Sequence, residues 1–281
     1  MYSNLTVSQD CDYAPAPDVN LPSADWISTY HRGCGDPGSL HNIFKFNPLS
    51  VISLDAHAPN LLDLNAGAPA NVQVSQLLHL LPPALVKPFT KVLSDFDRFL
   101  NSEPAEKLNR TRICTLVPLR HPSGRYTLYL SSINLVSNPD KTNIRGYSQE
   151  VSVEALFRHN GDRPPYCIIA LLVDEVPQIT LTYNGFEHTF ERHNLLTRNE
   201  TRLLRMMYAG VNRTRILELM AIKPLTLDTH KKNINQKLGT HDTHHAAHIA
   251  NMLGLLSDGA MEQAFQHDRK RTVVYHPAHG G

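Results

Sequence analysis

The chain has 281 residues, 41% of them hydrophobic, and a formal net charge of +1. No apolar run approaches the roughly 18 residues a membrane helix needs, and the opening MYSNLTVSQDCDYAPAPD has neither the basic nor the apolar region of a secretory signal. The four cysteines, Cys11, Cys34, Cys114 and Cys167, are far apart and form no CxxC pair, which argues against a disulfide scaffold or a cysteine zinc site and predicts free thiols in a cytoplasmic protein.

Residues 1 to 40 are rich in Pro, Asp, Ser and Gly and predict a partly irregular arm, with SADWISTYH its one helix-like stretch. From Phe44 to Gly67, short apolar runs broken by NP, AP and AG predict two or three strands or helical turns. After Pro82 and Pro83, Leu85, Phe89, Val92, Phe96 and Leu100 fall at helical spacing and predict one amphipathic helix. In TRICTLVPLRHPSGRYTLYLSSINLVS, two β-rich runs flank His121-Pro122-Ser123-Gly124 and predict a hairpin. Tyr166–Val173 (YCIIALLV) reads as a buried strand, and Ile179–Gly185 as one more. Beyond Leu195 strand-like runs stop, and helical periods continue to about Leu256. The expected organisation is an arm (1–40), an α+β body (41–190), an all-α module (195–256) and a disordered tail (257–281).

The module is basic. Residues 195–256 hold 9 Lys+Arg against 4 Asp+Glu, a balance of +5, which leaves 18 against 22, or −4, for the rest. That asymmetry suits a polyanionic partner. Thr197 and Glu200 form a capping box, Leu203, Leu204 and Met207 an apolar stripe, and Gly210 a left-handed cap. A second short helix is expected over Arg213 to Ala221. A third runs over 225–238, with Pro224 before it, Leu227, Ile234 and Leu238 inward, and Gly239 closing it. Thr226, Asp228, Thr229, Lys231, Lys232 and Asn235 then face outward, with Lys223 at the turn. Two short helices around a tight turn describe either a helix-turn-helix or a plain three-helix bundle with a solvated face.

Residues 196–253 resemble the LuxR-type DNA-binding domain. LTRNETRLLRMMYAG is similar to the family's opening L-T-x-x-E segment. TLDTHKKNINQKLG is similar to its recognition segment in Thr226, Thr229, His230, Asn233, Ile234, Lys237, Leu238 and Gly239. The resemblance implies a four-helix unit whose third helix enters the major groove of double-stranded DNA, with Lys223, Thr226, Asp228, Thr229, Lys231, Lys232 and Asn235 as DNA-binding residues. It also implies a homodimer formed through the fourth helix, at His244, His248 and Asn251. Two positions depart: Lys223 replaces a usual Ser cap, and Asp228 a usual Lys. An acid facing the duplex is repelled by phosphate, or reads an unusual base, since a carboxylate can accept from a cytosine amino group.

The body lacks the acidic pair and alternating β/α units of a phosphoreceiver domain, and it lacks a P-loop. Early strands, an amphipathic helix, a hairpin and a later buried strand resemble a PAS domain. LVPLRHPSGRYTLYLSSINL is similar to the hairpin of the late PAS strands, and YCIIALLVDEV is expected where the last PAS strand lies. A PAS-like body implies a dimer surface or a pocket for a small-molecule or protein signal.

In GTHDTHHAAH, Asp242 is the expected cap of the fourth helix, with Ala246, Ile249, Ala250 and Leu253 inward. HHAAH differs from the zinc-protease H-E-x-x-H by having His245 in place of the Glu base, so no metal site is assigned. No cofactor is expected, and neither G-x-S-x-G nor a triad order supports an enzyme. The expected function is a DNA-binding transcriptional regulator with a PAS-like sensory or dimerisation domain. The competing reading is a protein-interaction regulator whose helix-turn-helix has weakened or lost DNA binding.

Overall fold

The computed structural model describes residues 39–46, 49–53, 72–153, 156, 167–192 and 195–257. The predicted arm and tail, SADWISTYH among them, lie almost wholly outside these residues.

One antiparallel sheet organises the chain. Its strands are β1 (Ser39–Phe46), β2 (Ser50–Ser53), β3 (Val72–Gln73), β4 (Thr111–Arg120), β5 (Tyr126–Ser137), β6 (Ile144–Ser152), β7 (Ile168–Val173), β8 (Val176–Asn184) and β9 (Thr189–Arg192). Their order across the sheet is β3-β2-β1-β6-β5-β4-β7-β8-β9. The β4–β5 hairpin forms where HPSG predicts it, with Gly124 at φ 81°.

Between β3 and β4 lie α1 (Val74–Leu78), α2 (Pro83–Ser102) and α3 (Ala105–Leu108). Pro83 sits at the first helical position of α2, where its missing N–H costs nothing. Leu85 and Leu100 are buried, and Phe89, Val92 and Phe96 pack partly buried on the sheet. The helix covers one sheet face through Phe46, Ile113, Val117, Leu135, Ile144, Ile169 and Leu171, and the Phe96 ring meets Phe46 edge-on at 5.6 Å.

The strand that closes back on β1 is Ile144–Ser152, not Tyr166–Val173. Tyr166 lies outside the described residues; from Ile168 the run forms β7, which extends the sheet beyond β4. The reason is legible in β6 itself. Its α2-facing positions are Ile144, Gly146, Ser148 and Glu150, too polar to read as a core strand. Gly146 has no room for a side chain: a Cβ there would lie 2.7 Å from Ile133 and 2.9 Å from Phe46. In the preceding turn Lys141 donates from Nζ to the Asn101 and Glu103 carbonyls, tying β6 to the end of α2.

The C-terminal helices are α4 (Arg198–Tyr208), α5 (Arg213–Met220), α6 (Pro224–Leu238) and α7 (Thr243–Met252). They share a core with the sheet. Cys114, Leu116, Leu130, Ile168, Ala170 and Leu172, on the face opposite α2, cluster with Leu196, Leu204, Ile234, Ile249, Leu253 and Leu256. Gly254, at φ +70°, lies so close that a Cβ would come within 2.0 Å of the Leu172 side chain. The His241 N–H also donates to the Leu156 carbonyl at 3.3 Å. The helical domain is thus packed on the sheet. Cys114 and Cys167 are buried, and burial raises the pKa of both thiols, that of Cys167 strongly, so they act as core side chains. No helix among the described residues is long and apolar enough to cross a membrane.

Candidate nucleic-acid interface

Thr197 caps α4, and the capping box is complete. Its hydroxyl accepts from the Glu200 N–H at 3.3 Å, and Glu200 Oε2 accepts from the Thr197 N–H at 2.7 Å. Glu200 does a second job. Only 2% exposed, it also accepts from Lys237 Nζ at 2.7 Å. The Glu of the first motif segment and the Lys of the second therefore form one contact, which fixes the end of α6 against α4.

Asn212 caps α5 by accepting from the Arg215 N–H at 2.9 Å, a cap the periodicity does not reveal. The turn that follows passes through Ala221 in the left-handed conformation, φ 52°, ψ 44°. A side chain there costs about 1 kcal/mol relative to Gly. Pro224 then opens α6, and Gly239 closes it at φ 67°.

Leu227, Ile234 and Leu238 are buried, as the spacing predicts. Of the expected contact residues, Lys223, Thr226, Asp228, Thr229 and Lys232 are exposed, while Lys231 and Asn235 are half-buried at the flanks. The outer stripe is continuous: Leu225, Asp228, Thr229, Lys232 and Gln236 follow at helical spacing and all are exposed. Leu225, 78% exposed at the first turn, was not among the expected residues. An outward Leu has no polar signature to single it out, yet apolar side chains meet thymine methyl groups in the major groove. The Thr229 hydroxyl donates to the Leu225 carbonyl at 2.9 Å, leaving its oxygen to accept.

Asp228 is paired. Arg213, at the start of α5, donates to its two carboxylate oxygens at 2.9 and 3.2 Å. These hydrogen bonds hold the Asp228 carboxyl below its usual pKa, and the same contact raises that of Arg213. Arg213 was also missed, because it lies on another helix and only the turn brings it to α6. Its neighbour Arg215 pairs with Glu218 at 2.9 Å.

Asp242 caps α7 as expected, accepting from the His244 and His245 N–H groups at 2.8 and 2.9 Å. Partial burial pushes its carboxyl up, but those N–H groups and the adjacent imidazoles outweigh it and leave the pKa lowered. Ala246, Ile249, Ala250 and Leu253 are fully buried. His244, His248 and Asn251 are exposed. Asn251 donates to the Tyr208 hydroxyl at 3.0 Å, and the Tyr208 and His248 rings meet edge-on at 5.6 Å. Among the described residues no three His, Cys, Asp or Glu side chains form a metal-binding group.

The helical segment matches a known family. Residues 194–250 correspond to "Bacterial regulatory proteins, luxR family". The chain is also similar in structure to phage VqmA in its complex with DPO, at 11% identity over 83% of this chain and 91% of that one, with a TM-score of 0.30. Vibrio cholerae VqmA in a ligand–DNA complex is similar at 12% identity over 85% and 91%, TM-score 0.29. The V. cholerae VqmA dimer without target DNA is similar at 12% over 82% and 87%, TM-score 0.29. No curated protein sequence matches the chain. Residues 194–250 are thus a luxR-family helix-turn-helix domain.

Proposed function

We propose that the chain binds duplex DNA by laying α6 in the major groove, with α5 crossing the backbone beside it. The observation that carries this reading is the open stripe of α6, with Lys223, Lys231 and Lys232 around it for phosphates and Thr226, Thr229, Asn235 and Leu225 for base edges. The competing reading, a helix-turn-helix that has lost DNA binding, rests on Asp228 and on the near-neutral net charge of the chain. The Arg213 guanidinium pairs with Asp228, which removes the first of these supports.

We infer further that the sheet domain is a PAS-like sensory or dimerisation unit. An early hairpin, a helical crossing and a three-strand meander returning to β1 support it. So does a buried polar band on the α2-facing side of β1, β5 and β6, formed by Asn42, Tyr129, Ser131, Ser148 and Glu150. Burial, then the nearby Glu150 charge, raises the Tyr129 pKa. Such a band within an apolar face suits a small ligand rich in hydrogen-bonding groups. The shared core with the helical domain gives a signal there a physical route to α6. His244, His248 and Asn251, beside exposed Tyr208, are the surface offered to a second copy. The cytoplasm is the compartment that fits these roles.

The test is a mobility shift of the full chain with promoter fragments, followed by footprinting of any that bind. Protection of a short site by the wild-type chain is expected. No shift with any duplex at low salt contradicts the reading.

A further inference from the structure

Asp228 is the only acid in α6, and it stands in the outer stripe towards the N-terminal end of the helix. A bare carboxylate there would repel the phosphate backbone. Instead the Arg213 guanidinium closes on it with two parallel hydrogen bonds, a fork that a carboxylate matches geometrically. Both side chains remain about half exposed, at 52% and 53%, so the pair lies at the surface. A guanidinium has five N–H donors, and Asp228 uses two. The others meet no acceptor among the described residues. An isolated surface pair of this kind adds little to stability. It does fix a long, rotamer-rich side chain in one place, so less freedom remains to be lost when a ligand binds.

The position of the pair indicates the ligand. Arg213 begins α5, the first helix of the helix-turn-helix, and in this motif that helix crosses the DNA backbone while the second enters the groove. We propose that Asp228 is a positioning residue: it holds Arg213 so that the remaining guanidinium donors take a backbone phosphate. The acid that replaces a usual lysine then supports DNA binding through its neighbour. This rests on the DNA-binding reading above.

The experiment compares full-length wild type with Asp228→Asn, Asp228→Glu, Arg213→Ala, Arg213→Lys and the double variant Asp228→Asn/Arg213→Ala. Binding to a labelled random-sequence duplex is read by anisotropy over a salt series, and thermal unfolding of each variant reports that the fold is kept. Asp228→Asn removes a negative charge, so simple repulsion demands tighter binding. Positioning demands the opposite: on the order of tenfold weaker binding and a log–log salt slope smaller by about 1. Arg213→Ala should match it, the double variant should be no weaker than Arg213→Ala alone, and Asp228→Glu should retain most affinity. Arg213→Lys, which keeps the charge but not the fork, should fall between wild type and Arg213→Ala. Binding by Asp228→Asn equal to or tighter than wild type overturns the proposal and leaves DNA binding intact, as does a double variant whose losses add. Absence of wild-type binding overturns the functional reading and this proposal together.

Discussion

The two ends of α6 are held by different means. At its C-terminal end Lys237 donates to Glu200, which is buried and also completes the cap of α4. At its N-terminal end Asp228 meets Arg213 in the open, beside an exposed Leu225 and a strained Ala221. Both are ion pairs between helices, yet they do different work. Burial makes the first an obligation of the fold, since breaking it strands a desolvated charge. Exposure makes the second cheap to lose for stability and available to a ligand. One end of the recognition helix is anchored, and the other is presented.

The comparison can be broken at the anchored end first. Glu200→Ala removes the capping-box partner of Thr197 and the acceptor of Lys237, and should lower stability by about 1–2 kcal/mol, read by denaturant unfolding. A loss under about 0.5 kcal/mol would mean that the pair is not an anchor. Asp242→Ala removes the side-chain cap of α7 and should cost about 1 kcal/mol at pH 7. Because the folded pKa of Asp242 is lowered, its contribution is complete above about pH 4 and fades only as pH falls below that. The stability difference between variant and wild type should therefore hold steady above about pH 4 and narrow as acid protonates Asp242.

At the presented end the effects on stability are smaller and of either sign. Ala221→Gly relieves a left-handed residue with nothing else lost, and should raise stability by about 0.5–1 kcal/mol. A lower unfolding temperature would show that the turn depends on the Ala221 side chain. Lys232→Ala should leave stability within about 0.5 kcal/mol, yet reduce the salt slope of DNA binding by about 1, uniformly across sequences. A change confined to one sequence would instead place Lys232 on a base.

The helical domain was largely legible because its signals are local. The capping box at Thr197–Glu200, Pro224 at a first turn, Gly210 and Gly239 at left-handed caps, and Asp242 before α7 each act within a few residues. What escaped was carried by long-range contacts: Arg213 reaching Asp228, and Lys237 reaching Glu200. The sheet was less legible for the same reason. The hairpin at His121–Gly124 and the amphipathic α2 are local and were readable. Strand β6 was not, because Ser148 and Glu150 face inward only by virtue of pairing with β1 and β5. Nor does the sequence reveal that the outer face of β7 is covered by the helical domain, which the six consecutive buried positions of Ile168–Val173 require.

The central claim is that α6 and the start of α5 form a cationic surface that neutralises DNA phosphates. Its most direct measurement is the affinity of the full-length protein for duplex DNA across a salt series. With Lys223, Lys231, Lys232 and Arg213 each taking one phosphate, log affinity should fall linearly with log salt, at a slope of roughly −3.6 per bound protomer. A slope near zero, or no binding at the lowest salt, would contradict the account.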